Sequence, residues 1–496
     1  MRLRRALLFM PRRSHQHHHH ALAVGVLVAL AGCGALEPDP LPDTHWPDVD
    51  SAQYTLVARF AQISDAHALD EESPGRTAIL GRLISVAWRP HERYSLQLID
   101  GMIRAVNYYH ERVAPLDFLI HTGDAVDNVQ FNELHWFLDV LDGRMVNPLS
   151  GIDDRLPEDR GPPARDPYVP FKAAGLYRQG VNGEAASIPW YAVMGNHDRY
   201  AVGVLPIVPR LDGGWMAPLP GGARLGLFLP VVLVPDGPLA YGTITPANPG
   251  PLPELLVPSI VQRNPDRRFV TPEEYVAAYF TTATGPPGHG FGADGRTWYA
   301  TSPRPGLRLI VLDTSLAPVT VPGGDYHAGG LIAEQVRFLR AELEKAQAAG
   351  DLVVVATHHP SIDLSVQLAT TIHADEFRQL LNGYPNVVAH IAGHEHCNRV
   401  TDRGGYLEFE TSAVIDPPHE GRIIEIWRRT QPDLDGGDAP AVILRYALFA
   451  GDYTGSAFAD VAESPSDPLL PMRRDAQALA EEWAGGVFDG AISHCP

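Results

Sequence analysis

Apolar positions recur between residues 54 and 450 in two periods, and the points where one period gives way to the other organise the chain. Tyr54 to Ile63 carries Leu56, Val57, Phe60 and Ile63 in an extended run that stops at Ser64-Asp65-Ala66-His67. From Ser95 to Val113, Leu96, Ile99, Met102, Ile103 and Val106 fall on one helical face. Leu116 to Ile120 is a second buried run, ending in His121-Thr122-Gly123-Asp124. Strand, helix, strand predicts a parallel pair joined by a crossover helix. A helix is predicted over Phe131 to Leu141, and a third strand over Ile188 to Met194, ending in Gly195-Asn196-His197-Asp198.

The same alternation returns further on. Leu307–Leu312 reads as a strand ending at Asp313, Glu334 to Ala348 as an amphipathic helix, and Leu352 to Ala356 as a strand ending in Thr357-His358-His359-Pro360. Asp375–Leu381 is a short helix. Val387-Val388-Ala389 leads through Ile391 into Gly393-His394-Glu395-His396. Tyr406–Phe409, Ile423–Trp427 and Val442–Phe449 are strand-like with no helix between them, and together suit a second, mixed sheet. Arg473–Trp483 reads as a helix in the tail. Two stretches, about 142–187 and 203–295, are dense in Pro and Gly and keep no period apart from the helix-like Pro272–Phe280. Gaps this long inside a domain usually serve function as lids or insertions. There is no internal repeat.

Composition sharpens this picture at the N-terminus. The 496 residues are 45% hydrophobic and 20% charged, a globular balance with length for one large core or two domains. Arg2, Arg4, Arg5, Arg12 and Arg13 precede the apolar run Ala21 to Ala31, which is too short to span a bilayer comfortably and reads as an export signal. The run ends in Leu30-Ala31-Gly32-Cys33, which resembles the bacterial lipobox, so residues 1–32 are expected to be removed and Cys33 lipidated. A Pro-rich tether, 33–53, follows, then the main domain, 54–455, and a C-terminal tail, 456–496. The expected location is outside the cytoplasm, periplasmic or at the cell surface, held to the membrane only through the lipid. His17–His20 falls in the leader and receives no metal role. The net charge of −20 is incompatible with attraction to nucleic acid through the overall field. Of three cysteines, Cys397 and Cys495 remain, either paired in an oxidising compartment or as two free thiols.

Five of the predicted strands end in side chains able to bind a metal: Asp65 and His67, Asp124, Asn196, His358, and His394 and His396. Sites in parallel α/β sheets form outside the carboxyl ends of strands. The set combines hard carboxylate and amide oxygens with imidazoles and contains no thiolate, which suits first-row ions such as Zn, Fe or Mn. Seven ligands are too many for one tetrahedral site and enough for two ions sharing a carboxylate.

These residues stand in five ordered motifs: Asp65-Ala66-His67, Gly123-Asp124-Ala125-Val126-Asp127, Gly195-Asn196-His197-Asp198, His358-His359-Pro360 and Gly393-His394-Glu395-His396. In this the chain resembles the calcineurin-like metallophosphoesterases over roughly residues 54–430, less the insertions. The resemblance implies a four-layer α/β/β/α sandwich built on two mixed sheets. It further implies that Asp65, His67 and His396 hold one ion, that Asn196, His358 and His394 hold the other, and that Asp124 bridges them; His359 is the alternative to His358. Two divalent or trivalent transition-metal ions then clamp a phosphoryl group, and a metal-bridging hydroxide is the nucleophile. His197 is implied to stabilise the transition state or protonate the leaving oxygen, with Asp127 either orienting it or capping a helix. The expected activity is hydrolysis of a small phosphomonoester or phosphodiester. The alternatives are a non-catalytic cell-surface binding protein that retains the fold, and a dinuclear hydrolase of a non-phosphate bond.

Two departures narrow the resemblance. Purple acid phosphatases have Tyr at the position of Asp127, so a tyrosinate–iron colour is not expected. Serine/threonine phosphatases have a phosphate-binding Arg where this chain has Asn128, which speaks against a protein substrate. Arg199 is either a substitute phosphate contact or a solvated side chain. His91, His121, His135, His373 and His390 read as ordinary histidines, and Asp153-Asp154 with Glu158-Asp159 as a solvated acidic loop. About 65 residues follow the strand near Trp427, too few for the large C-terminal substrate domain of periplasmic 5′-nucleotidases.

Overall fold

A computed structural model describes residues 38–73, 89–151, 162–179, 185–211, 213–218, 262–317, 326–365, 372–430, 440–451 and 469–487, with short pieces between 232 and 260. The chain divides into the units Met1–Pro38 and Asp39–Pro496, and the second carries all the elements described below. The leader, Cys33 and the acidic loop at 153–159 lie outside the described residues.

The period-2 runs pair into two sheets. In the first, β1 (Tyr54–Ile63) is flanked by β2 (Phe118–His121) in parallel, and β3 (Trp190–Ala192) continues beyond β2, also parallel. The second is built on β5 (Leu307–Val311), β6 (Leu352–Ala356) and β7 (Val387–Ala392), all parallel. Two edge strands complete it: β4 (Tyr299–Arg304) runs antiparallel to β5, and β8 (Arg399–Asp402) pairs antiparallel with β9 (Leu407–Glu410), which lies parallel to β7. The three helix-free C-terminal runs do not share a sheet, as the pattern suggested. Only β9 joins the second. β10 (Glu420–Arg429) crosses back to pair antiparallel with β1, and β11 (Val442–Ala450) extends that edge. Pairing along nearly all of the long strand β1 satisfies its backbone groups on that side.

Alternation along the central strands assigns the layers. On β6, Val354 and Ala356 enter the large core that the two sheets share with Phe60, Phe118, Ile391 and Phe409. Val353 and Val355 point the other way, into a second core with Leu339 and Leu343 of α4 (Ala333–Ala349) and Phe377 and Leu381 of α5 (Ala374–Asn382). On the outer face of the first sheet lie α1 (Ser95–Tyr108), which continues as a π-helical turn through Val113, and α2 (Phe131–Leu141). The order helix, sheet, sheet, helix is the expected four-layer sandwich. Among the described residues no helix is long and apolar enough to cross a membrane.

Part of the 203–295 insertion belongs to the core. Phe269, Val270, Tyr275, Tyr279 and Phe291 are buried in the main cluster, and Thr271 caps α3 (Pro272–Ala278) with a capping box closed by Glu274. Buried Arg267 fastens this return to the body through Asp70 at 3.0 Å. Within the tether, Leu41 bridges to Val400 and His45 to Tyr446, so that part lies against β8 and β11. Beyond the main body, α6 (Leu470–Val487) packs on α1, and its Arg473 covers the position where Gly101 has no side chain.

Candidate metal centre

The parallel strands β1, β2, β6 and β7 deliver their C-terminal ends to one region, where the motif residues converge. Asp65, His67, Asp124, His394 and His396 account for five of the nine non-glycine residues with positive φ among the described residues, at 51°, 43°, 55°, 75° and 54°. Left-handed backbone on bulky residues is costly and clusters where side chains must be aimed. The neighbouring glycines serve close approach: a Cβ on Gly393 would collide with Ser64 and Asp65, and one on Gly195 with Asp124.

Two donor sets share one atom. In the first, His67 Nε2 lies 3.2 Å from His396 Nε2, and these nitrogens are 3.9 and 3.4 Å from Asp65 Oδ1. Asp124 Oδ2 is 3.8 Å from His67 Nε2. In the second, His358 Nε2 stands 2.9 Å from Asn196 Oδ1, 3.3 Å from His394 Nδ1 and 3.2 Å from the same Asp124 Oδ2. An ion about 2.1 Å from each of two donors at a tetrahedral angle leaves them roughly 3.4 Å apart. Asp65 Oδ1 is buried without a hydrogen-bond partner, an arrangement native interiors rarely leave unanswered. The residues therefore fit a pair of divalent ions.

Hydrogen bonds on the far side of each ring decide which nitrogen faces inward. His358 Nδ1–H donates to the Thr122 carbonyl at 2.9 Å, so Nε2 carries the inward lone pair. His67 Nδ1–H donates to Asp127 at 2.9 Å, and His396 Nδ1–H to Asp416 at 2.6 Å. Carboxylates in this position fix ring orientation and raise ligand basicity. His394 is turned the other way: Nδ1 faces inward and Nε2 lies 3.9 Å from Glu395. His359 is engaged elsewhere, through Nδ1 with Thr314 at 2.7 Å and through Nε2 with the carbonyl of His327 at 2.9 Å, which leaves His358 as the inward ring of the pair.

The carboxylates favour positive charge on two of the rings. Burial opposes protonation of His358, yet Asp124 outweighs it and lifts the imidazole to about 9. Burial likewise opposes His396, and Asp65 and Asp416 lift it to about 10. Asp65 is raised by burial but held down to about 2 by His396. His67, by contrast, is kept neutral, lowered to about 4 by burial and then by His197.

His197 stands beside this centre with its ring 4.5 Å from that of His67. Its Nδ1–H donates to the main-chain carbonyl of Asp127 at 2.9 Å, which directs Nε2 away from Asp127. The Asp127 carboxylate is closer to His67 than to His197, 2.9 against 3.5 Å, so it orients the first ring more directly than the second. Asp198 caps the Asp124 loop, accepting from the N–H groups of Asp124, Ala125 and Gly195 at 2.8–2.9 Å. Neither reading of Arg199 survives. It is buried against Asp313, with Nη2 to Oδ2 at 2.5 Å, and so is neither solvated nor free for phosphate. Asn128 is turned inward onto Glu133. His121 and His390 are buried in the interior, while His91 lies behind the centre and donates to the Ile415 carbonyl.

Two participants carried no motif, Arg89 and Asp416. Asp416 follows the end of β9, whose loop pairs with Ser64 through Ala413. It obeys the same strand-end rule as the others, but only the sheet order reveals it. Cys397 is disulfide-bonded, and both other cysteines, Cys33 and Cys495, lie outside the described residues.

No curated protein matches the sequence significantly. In structure the chain is similar to a dimetal phosphatase from Danio rerio, at 15% identity over 76% of this chain and 96% of that one, with a TM-score of 0.38. It is also similar to a putative 5′-nucleotidase from Staphylococcus aureus, at 12% identity over 86% of this chain and 57% of that one, TM-score 0.34, and to GAP50, the anchor in the inner membrane complex of Plasmodium, at 12% identity over 80% and 82%, TM-score 0.31. Likenesses this remote carry no argument about activity or substrate. The family model of the calcineurin-like phosphoesterases matches residues 58–263, the stretch that holds Asp65, His67, Asp124, Asn196 and His197, and so supports a calcineurin-like phosphoesterase domain in this chain.

Proposed function

We propose that the protein is an exported hydrolase of small phosphate esters that works with two metal ions. The observation that carries this reading is the pair of donor sets meeting at Asp124 Oδ2. Asp65, His67 and His396 would hold one ion and Asn196, His358 and His394 the other, with Asp124 common to both. When bound, such ions supply charge stabilisation for a phosphoryl group and lower the pKa of water. The donors are oxygens and imidazoles, which suits Zn, Fe or Mn.

The protein's own groups do the rest. His197, anchored through Nδ1 and with its ring against that of His67, in its protonated form delivers a proton to the departing ester oxygen. Asp127 holds both His67 and His197 in register from one buried position. With Asn128 and Arg199 both occupied internally, this reading assigns phosphate binding to the ions and His197, in keeping with a small substrate. Residues 1–32 would direct export, and Cys33 would carry the lipid.

The test is metal analysis of purified mature protein alongside hydrolysis of activated aryl phosphate mono- and diesters. About two equivalents of Fe, Zn or Mn are expected, with activity lost on chelation and restored by the ions. Full activity in metal-free protein would refute the mechanism. A fatty-acid analogue should label the wild type and not Cys33→Ser; an unlabelled wild type removes the anchor.

A further inference from the structure

The two donor sets differ in what stands behind their imidazoles. In the second set, His358 leans on a main-chain carbonyl, and the carboxylate of Glu395 stays 3.9 Å from His394 Nε2, beyond hydrogen-bond reach. In the first, both rings lean on carboxylates, His67 on Asp127 and His396 on Asp416. Those carboxylates come from distant parts of the chain, one from the loop after β2 and one from beyond β9. Among the described residues, Arg89 is the cation that faces both. Arg89 is 2% exposed, and its Nε donates to Asp416 Oδ1 and Oδ2 at 2.7 and 2.9 Å, while its Nη1 approaches Asp127 Oδ1 at 3.7 Å. Its own backbone is tied down through its N–H to Glu92 Oε2 at 3.0 Å. At that depth the guanidinium is closed off from substrate, so contact with a phosphate is not its task.

We propose that Arg89 is the positioning residue of the first ion site: it clamps Asp416 and Asp127 and through them sets the orientation of His396 and His67, leaving the second site untouched. This role rests on the two-ion reading of the centre. The planar guanidinium suits the task because it fixes the direction of Nε, shared by both oxygens of Asp416, relative to Nη1, which faces Asp127, a relation the single rotating nitrogen of an ammonium cannot reproduce. With the clamp gone, Asp416 keeps its charge but loses what fixes its plane, and His396 loses a defined acceptor. Changes in groups standing behind metal ligands typically weaken metal affinity by about 10–100-fold.

The experiment titrates metal-free protein with Mn2+ and reads free ion by electron paramagnetic resonance, for the wild type, Arg89→Met, Arg89→Lys and Asp416→Asn. Asn196→Ala, which removes a donor from the second set alone, identifies the step that belongs to that set. The expected result is one binding step unchanged and the other about 10–100-fold weaker in all three variants. Arg89→Lys keeps charge and bulk, so it separates the clamp from simple repulsion between a cation and an ion. Tighter binding in Arg89→Met with no change in Arg89→Lys would overturn the proposal in favour of through-space charge. Equal weakening of both steps, or none, would also overturn it. Should Arg89→Met fail to fold, as judged by circular dichroism of the metal-free protein, Arg89→Lys and Asp416→Asn carry the test. A wild type that takes up no Mn2+ would overturn the two-ion reading itself, whereas two normal steps in every variant would overturn only the role of Arg89.

Discussion

Arg199 follows Asn196 by three residues in a loop of the centre, and its removal separates a structural role from contact with substrate. In Arg199→Met the side-chain volume is roughly kept and the charge is lost. Asp313 is then left fully buried without its cation. Breaking a buried pair from one side costs about 3–5 kcal/mol. Two other donors remain on Asp313, Thr297 Oγ1–H at 2.5 Å and the Ser315 N–H at 3.0 Å, which places the expected loss at the lower end, about 3 kcal/mol. Removing the carboxylate as well, in Arg199→Met/Asp313→Asn, should recover much of that loss, because the orphaned charge is gone. Denaturant unfolding of metal-loaded protein measures both. Steady-state kinetics on an aryl phosphate supply the second readout, with KM within about twofold of the wild type. A destabilisation below about 1 kcal/mol together with a KM raised tenfold or more would show that Arg199 meets the substrate, and would refute the assignment to Asp313.

Three other outcomes follow from the same geometry. His197→Ala should lower kcat by about 10²–10⁴-fold while metal analysis still finds the wild-type ion content; parallel loss of ions would recast His197 as a ligand. His289, stacked on Trp190 with centroids 3.6 Å apart, is lowered by burial from 6.5 to about 4. The fold therefore excludes a proton that the unfolded chain accepts below pH 6.5, and the stability His289 contributes is complete above that pH and lost as pH falls towards 4. Urea unfolding of metal-free protein should show the wild type losing about 2–3 kcal/mol more than His289→Asn between pH 6.5 and 4, and equal losses would contradict the assignment. Cys397 should resist alkylation in denaturant until a reductant is added, whereas immediate labelling, read by peptide mass spectrometry, would exclude its disulfide.

What the sequence revealed and what it withheld divide along a physical line. Local interactions leave a local trace. The period of Phe131–Leu141 coincides with α2 because its apolar face and its capping box lie within the same dozen residues. The strand-end motifs converge because each is attached to an apolar run that pairs in parallel within one of two facing sheets, β1, β2 and β3 in the first and β6 and β7 in the second. Two edge strands left no trace: Tyr299–Arg304 carries Ser and Pro, and Arg399–Asp402 has only Val400 and Thr401 between two charged ends, too short a run to stand out as a strand. Long-range choices leave none either. Nothing near Ile423 states that its partner is Ala61, more than three hundred residues earlier, so the return of β10 to the first sheet could not be read from its own pattern. The same holds for the groups behind the metal centre. Asp416 and Arg89 are 327 positions apart and meet where the segment after β9, paired with Ser64 through Ala413, lies against the stretch that leads into α1. A motif names groups aimed at the ion, since spacing on one strand end dictates which side chains share a direction. The groups that hold those ligands still come from whatever the fold packs behind them: a main-chain carbonyl behind His358, and behind His67 and His396 two carboxylates that face the buried guanidinium of Arg89.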